Sequence, residues 1–123
     1  MTEIKEAQNS KILSDAVIHG MKEKKASDIV LIDLREIGNA VADFFVICSG
    51  NSDTQIDAIS DSVEEEVYKL TSDNPWRKEG KENKEWILMD YANVVVHIFR
   101  NDRREFYSLE KLWGDATITS IEE

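Results

Sequence analysis

The residues best placed to carry chemistry lie in the segment CSGNSD, residues 48–53, where two serines follow an apolar run. A nucleophilic role for Ser49 or Ser52 requires a base held beside the hydroxyl, and no motif links either serine to a histidine. A phosphate-binding loop would need more glycines and a lysine before the next helix. The segment therefore predicts a strand-to-helix turn in which Ser52 caps the helix.

The other candidates for catalytic or metal chemistry also lack partners in the sequence. His19 has no second metal ligand four residues on, and His97 stands alone in an apolar run, as does Cys48. A catalytic metal needs three converging ligands, and phosphoryl-transfer enzymes hold magnesium with paired carboxylates. The segment LMDYAN offers Asp90 alone. We therefore expect no catalytic residue, no metal and no cofactor.

The elements that must position these residues alternate between helices and strands. The predicted order is helix 8–24, strand 28–36, strand 42–52, helix 53–70, a polar loop at 76–84, a hairpin over 86–99 and a short helix from Asp102. This order predicts an α/β fold with a mixed β-sheet and flanking helices. The second strand, the long helix and the first hairpin strand should form a parallel crossover. One domain would span residues 1–114, and the acidic tail 115–123 is expected to fray.

Charge and composition limit the possible partners. The chain of 123 residues has a formal net charge of −10, and its segment RKEGKENKE at 77–85 alternates in sign. Binding to DNA or RNA normally needs a basic stripe, so no direct nucleic-acid binding is expected, and a basic protein partner fits better. A single cysteine and the lack of a membrane-length apolar run predict a protein of the cytoplasm or an organelle matrix, with no membrane contact.

The hairpin EWILMDYANVVVHIF, residues 85–99, is apolar on both of its faces. A hairpin that covers a core on one side should alternate apolar with polar residues. Aromatic residues also crowd the last third of the chain, and tyrosine and tryptophan are typical of interfaces. Tyr91 at the turn and Tyr107 in the last helix are expected to be exposed. One side of the hairpin is therefore predicted to be a docking surface.

Three segments together resemble the ribosomal silencing factor family, also called RsfS or Iojap. They are DFFVICSGNSDTQ at 43–55, WILMDYANVVVHIF at 86–99 and FYSLEKLWGDA at 106–116. The resemblance implies a translational repressor without enzymatic activity. Such a protein binds the large ribosomal subunit through ribosomal protein number fourteen and blocks joining of the small subunit. The resemblance also implies a nucleotidyltransferase-like fold without catalytic carboxylates, and homodimers in some members.

The predicted docking surface combines hairpin residues with residues of the last helix. Its members are Trp86, Asp90, Tyr91, His97, Tyr107 and Lys111. The aromatic rings would supply buried area, and Asp90 would accept a charge-assisted hydrogen bond from a basic partner. The hairpin turn reads Tyr91-Ala92-Asn93 where the family usually carries Gly-Asp, so one carboxylate is lost there. Asn93 is expected to adopt the turn geometry.

Two other classes of function stay open from the residues alone. One is a nucleotidyltransferase-like enzyme that uses Ser49, Ser52 and Asp90. The other is an acidic dimerisation module unrelated to ribosomes. Turnover of a nucleoside triphosphate with magnesium would favour the enzyme, whereas binding to neither ribosomal subunit would favour the dimerisation module.

Overall fold

One mixed β-sheet with helices packed against it forms the framework of the molecule. The computed structural model describes residues 2–107 and 116–122, with side chains described for 9–104 and 116–122. The elements are α1 (Thr2–Glu23), β1 (Ser27–Asp33), β2 (Phe44–Gly50), α2 (Asp53–Thr71), β3 (Arg77–Glu79), β4 (Trp86–Asp90), β5 (Val94–Arg100), α3 (Asn101–Tyr107) and β6 (Thr117–Ser120). None of the described helices is long and apolar enough to cross a membrane.

The strands lie in the order β3-β4-β5-β2-β1-β6. Among the described strands, β2 and β5 pair in parallel and the other neighbours pair antiparallel. The predicted mixed α/β fold is therefore confirmed. The predicted partner of the crossover is wrong, because β2 pairs with the second hairpin strand, β5, and not with β4. The hairpin places β4 on the outer side of β5, where β3 completes that edge.

Two short strands occupy segments in which the sequence predicts none. Residues 77–79, inside the expected polar loop, pair with β4. Residues 117–120, inside the tail expected to fray, pair with residues 30–33 of β1. The expectation of a frayed tail is therefore wrong for β6, because its run of β-branched residues finds an open antiparallel edge on β1.

Helices α1 and α2 cover one side of the sheet, which we call the helix face. The apolar residues of α2 point inward as predicted: Ile56, Ile59, Val63 and Val67 are fully buried. The two helices approach closely at Gly20, where an added Cβ would lie 2.8 Å from the Cα of Val63. The predicted cap of α2 is also present, since the Ser52 hydroxyl accepts a hydrogen bond of 3.1 Å from the backbone N–H of Gln55.

The other side of the sheet, which we call the opposite face, buries a second apolar cluster. Phe45, Ile47 and Phe99 are buried there, and the loop between β1 and β2 packs Ile37 and Ala40 against them. The hairpin therefore carries apolar residues of both parities because each of its faces contributes to a core. On the opposite face, that core reaches the surface at the outer strands β3 and β4.

Candidate docking surface

Three rings pack together where the opposite face reaches the surface. The Nε1–H of Trp86 donates a hydrogen bond of 3.0 Å to Nδ1 of His97, and the Trp86 ring stacks on Phe99 with 5.1 Å between centroids. His97 and Phe99 are buried, whereas Trp86 is half-buried. The indole is thus held in one orientation while part of its surface faces solvent. Such a ring is suited to anchor an interface.

The hydrogen bond from Trp86 also decides which nitrogen of His97 carries the proton. Because Nδ1 is the acceptor, the neutral ring carries its proton on Nε2. That nitrogen is buried and has no hydrogen-bond partner among the described residues. Burial lowers the pKa of His97 from 6.5 to about 3. The ring is therefore neutral near pH 7, and it orients Trp86 without adding a positive charge.

Half-exposed and exposed side chains of β3 and β4 extend the surface around Trp86. The strand register pairs Arg77 with Asp90 and Glu79 with Leu88, so these side chains share one side of the sheet. Alternation along β4 places Trp86 on that same side. The Arg77 guanidinium lies 3.8 Å from the Asp90 carboxylate. We call these five residues the Trp86 surface.

Asp90 has a second role at the hairpin turn. Its Oδ1 accepts a hydrogen bond of 2.8 Å from the backbone N–H of Ala92. Ala92 has a φ of 73°, the left-handed region that favours glycine. Asn93 lies in the turn as expected, since its backbone N–H donates a hydrogen bond of 3.0 Å to the carbonyl of Tyr91, but the left-handed residue is Ala92. The carbonyl of Asn93 accepts a hydrogen bond of 2.8 Å from the N–H of Asp43.

Tyr91 does not belong to the Trp86 surface. Its side chain is 7% exposed and packs in the core of the helix face, on the side of the sheet away from Trp86. The expectation of an exposed ring is wrong, because residues of α1 and of the C-terminal end of α2 flank the turn. The side chains of Tyr107 and Lys111 lie outside the described residues, so their place in the docking surface stays a prediction.

Sequence reasoning missed one exposed aromatic residue, directly before β3. Trp76 is 85% exposed, and its backbone N–H donates a hydrogen bond of 2.7 Å to the carbonyl of Asp90. An isolated tryptophan directly after Pro75, in an otherwise polar loop, was the available signal.

The segment CSGNSD has structural partners for its polar groups. The hydroxyl of Ser49 is buried and accepts a hydrogen bond of 2.8 Å from a guanidinium nitrogen of Arg104, while Ser52 caps α2. Burial raises the pKa of Cys48 strongly, which keeps it a thiol. Within the described residues, no three His, Cys, Asp or Glu side chains converge in a way that could hold a metal ion. The polar groups of this segment therefore have structural roles.

The sequence and fold are similar to those of known proteins. The family model described as "Ribosomal silencing factor during starvation", RsfS, matches residues 7–123. The ribosomal silencing factor RsfS of Halalkalibacterium halodurans is 40% identical over 114 residues, which cover 93% of this chain and 95% of that protein. The ribosomal silencing factor RsfS of Bacillus subtilis is 37% identical over 114 residues, which also cover 93% of this chain and 95% of that protein.

Solved structures agree with this assignment. A crystal structure of a Chromobacterium violaceum protein matches with a TM-score of 0.79 and 29% identity over 85% of each chain. A Bacillus halodurans crystal structure matches with a TM-score of 0.73 and 34% identity over 92% of this chain and 99% of that one. The fold is that of a mixed α/β protein, and the family model and relatives link it to ribosome silencing, a form of translation regulation. The chain belongs to the ribosomal silencing factor family, RsfS, as the sequence predicts.

Proposed function

We propose that the protein silences ribosomes by docking on the large ribosomal subunit through ribosomal protein number fourteen, where it sterically blocks joining of the small subunit. Family membership supports the silencing role. A mouse relative, 31% identical over 101 residues, is named for the assembly of the mitochondrial ribosomal large subunit. The docking part of the proposal rests on the indole of Trp86, which is half-exposed and is held in one orientation by His97 and Phe99.

The charges around Trp86 favour a basic protein partner. The Trp86 surface contains two carboxylates, Glu79 and Asp90, against the single guanidinium of Arg77. The whole chain carries a formal charge of −10, which steers a basic partner toward it. In this proposal Trp86 and Leu88 supply the apolar contact, and Asp90 accepts a hydrogen bond from the partner.

The proposed action is occlusion and involves no chemical step. The proposal also assigns the chain a nucleotidyltransferase-like fold that lacks the catalytic carboxylates. The hydroxyls that an enzyme would use are engaged in structural hydrogen bonds at Ser49 and Ser52. An assay with magnesium and a labelled nucleoside triphosphate tests this part. Turnover that Asp90→Asn abolishes would contradict occlusion, and we expect none above background.

Sedimentation with separated ribosomal subunits tests the docking. We expect the protein to comigrate with the large subunit and to reduce the formation of joined ribosomes when the small subunit is added. Comigration with the small subunit, or with neither, would contradict the proposal. If the protein instead sediments alone as a dimer, the dimerisation module becomes the better explanation.

A matched pair of variants locates the contact. Trp86→Ala should weaken binding to the large subunit by about 2 kcal/mol or more, a typical loss for an aromatic anchor. Tyr68→Ala removes another aromatic ring, which is 53% exposed on α2, and should leave binding unchanged. Circular dichroism of both variants checks that the fold is intact. Equal losses from the two substitutions would show that the contact is not centred on Trp86.

A further inference from the structure

Strand β3 lies at the edge of the sheet without an apolar anchor of its own. Its three residues, 77–79, are all polar, and among the described strands it pairs with β4 alone. Two of its side chains, Arg77 and Glu79, form part of the Trp86 surface. Alternation along the strand turns the third, Lys78, toward the helix face. Hydrogen bonds to β4 set the register of β3, but none of its side chains is part of the two apolar clusters.

Ion pairs with α2 hold this edge of the sheet instead. Residues 77–84 contain three lysines, and each of them lies within ion-pair distance of an α2 carboxylate. The carboxylates recur at intervals of four and three residues, so they share one face of the helix. We call these six residues the edge ion pairs: Lys78, Lys81, Lys84, Asp57, Asp61 and Glu64.

The loop after β3 is joined to α2 at Asp57. The carboxylate of this residue lies 2.7 Å from the Lys84 ammonium and 3.2 Å from that of Lys81. Lys84 and Lys81 together hold the pKa of Asp57 below its usual value, which keeps the carboxylate charged at neutral pH. All three side chains are half-buried, so water and salt screen their attraction less than that of a fully exposed pair.

The same loop lies directly against the backbone of Trp86. Gly80 has a φ of 90°, and a Cβ at this position would overlap the Trp86 carbonyl oxygen. No side chain fits between the two segments. The carbonyl of Gly80 also accepts a hydrogen bond of 2.9 Å from the N–H of Lys84. A shift of the loop relative to α2 would therefore move the backbone next to Trp86.

We propose that the edge ion pairs position β3 for docking, so that breaking the pair of Lys78 and Glu64 displaces the β3 side of the Trp86 surface. The six residues are positioning residues, which act on the partner through β3 and do not touch it. The inference rests on the proposed docking through the Trp86 surface and adds its regulation. Added salt, which screens the ion pairs, should loosen one side of that surface.

Charge reversal separates positioning from long-range attraction. Lys78→Glu and Glu64→Lys each bring like charges together, whereas the double variant restores an ion pair and the net charge of the unmodified protein. Positioning predicts that each single variant weakens binding to the large ribosomal subunit roughly fivefold and that the double variant recovers most of the loss. Attraction of a basic partner by overall charge predicts opposite shifts, since Lys78→Glu makes the protein more acidic and Glu64→Lys makes it less so.

Hydrogen exchange tests the same ion pair without the ribosome. The amides of residues 76–79 that donate to β4 should exchange roughly fivefold faster in each single variant and at the unmodified rate in the double variant. Asp15→Lys makes the same charge change as Glu64→Lys on an exposed part of α1, and it should leave this exchange unchanged. Circular dichroism checks the fold of every variant.

Failure of the docking proposal and failure of this inference give different results. Absence of binding by the unmodified protein would overturn docking, and with it the role of these residues in docking. Normal binding that neither single variant weakens, or that the double variant does not recover, would overturn the positioning role alone. Exchange of the β3 amides that is the same in all variants would also overturn it.

Discussion

The two faces of the sheet use apolar residues differently. On the helix face, β4 contributes Ile87 and Met89, which are fully buried beneath the helix layer. On the opposite face, the same strand contributes Trp86 and Leu88, which stay half-exposed beside a buried histidine. A strand that is apolar on both faces is therefore not equally buried on both. Two helices cover the helix face, whereas the opposite face is only partly covered at β4. We propose that this partly covered face is the docking surface.

The largest effect is expected from a substitution that removes apolar volume from the helix face. Ile59→Ala should lower the free energy of unfolding by about 2–5 kcal/mol, because it leaves a cavity in a fully buried layer. Leu70→Ala, at a position that is 60% exposed, should change it by less than about 0.5 kcal/mol. Urea denaturation measures both. A loss below about 0.5 kcal/mol for Ile59→Ala would mean that the helix face is not packed as described.

A second test adds volume where the two helices meet. Gly20→Ala should lower the free energy of unfolding by about 1–3 kcal/mol, because the new Cβ would lie 2.8 Å from the backbone of Val63. Gly38→Ala is the matched control, since its Cβ would meet nothing within 4 Å. Thermal and urea unfolding of both variants give the comparison. Similar stabilities would show that α1 and α2 are free to move apart.

The third test uses pH on the opposite face. The pKa of His97 falls from 6.5 to about 3 on folding, so between these values the unfolded chain binds more protons and stability falls as pH falls. Between about pH 6 and pH 5, this residue should contribute a loss of about 1 kcal/mol per pH unit. His97→Gln should remove that part of the slope, whatever its effect on total stability. An unchanged slope would mean that the ring is protonated in the folded protein.

The smallest effect is expected at the turn that joins the two faces. Ala92 adopts a φ of 73°, a conformation that costs a residue with a Cβ more than it costs glycine. Ala92→Gly should therefore raise the free energy of unfolding by about 0.5–1 kcal/mol, measured by urea denaturation. Gly38→Ala again shows the effect of a glycine exchange at an open site. A lower stability for Ala92→Gly would show that the turn is not strained.

Local sequence patterns predicted the elements whose conformation does not depend on a distant part of the chain. Helix α2 has a regular apolar stripe and a capping serine, and both are present. Strand β3 was missed because three polar residues form a strand only when β4 offers a ladder of hydrogen bonds. Strand β6 was missed for the same reason, since its partner β1 lies more than eighty residues away in the chain. The parallel partner of β2 likewise depends on how the hairpin folds back.

The residues of the candidate surface were likewise predicted correctly only where local geometry determines their positions. Strand alternation puts Trp86 and Asp90 on one side of the sheet, and the hairpin register brings His97 to Trp86. These relations follow from local geometry. The burial of Tyr91 depends on where α1 and the end of α2 lie, which no pattern at the turn reveals. Its exposure was therefore mispredicted.

The most direct test of the account is hydroxyl-radical footprinting of the protein, free and bound to the large ribosomal subunit. The account predicts that oxidation of Trp86 falls sharply on binding, while oxidation of Tyr68 on α2 stays the same. That result would place the contact on the opposite face and not on the helix layer. Protection of Tyr68 with unchanged oxidation of Trp86 would contradict the central claim.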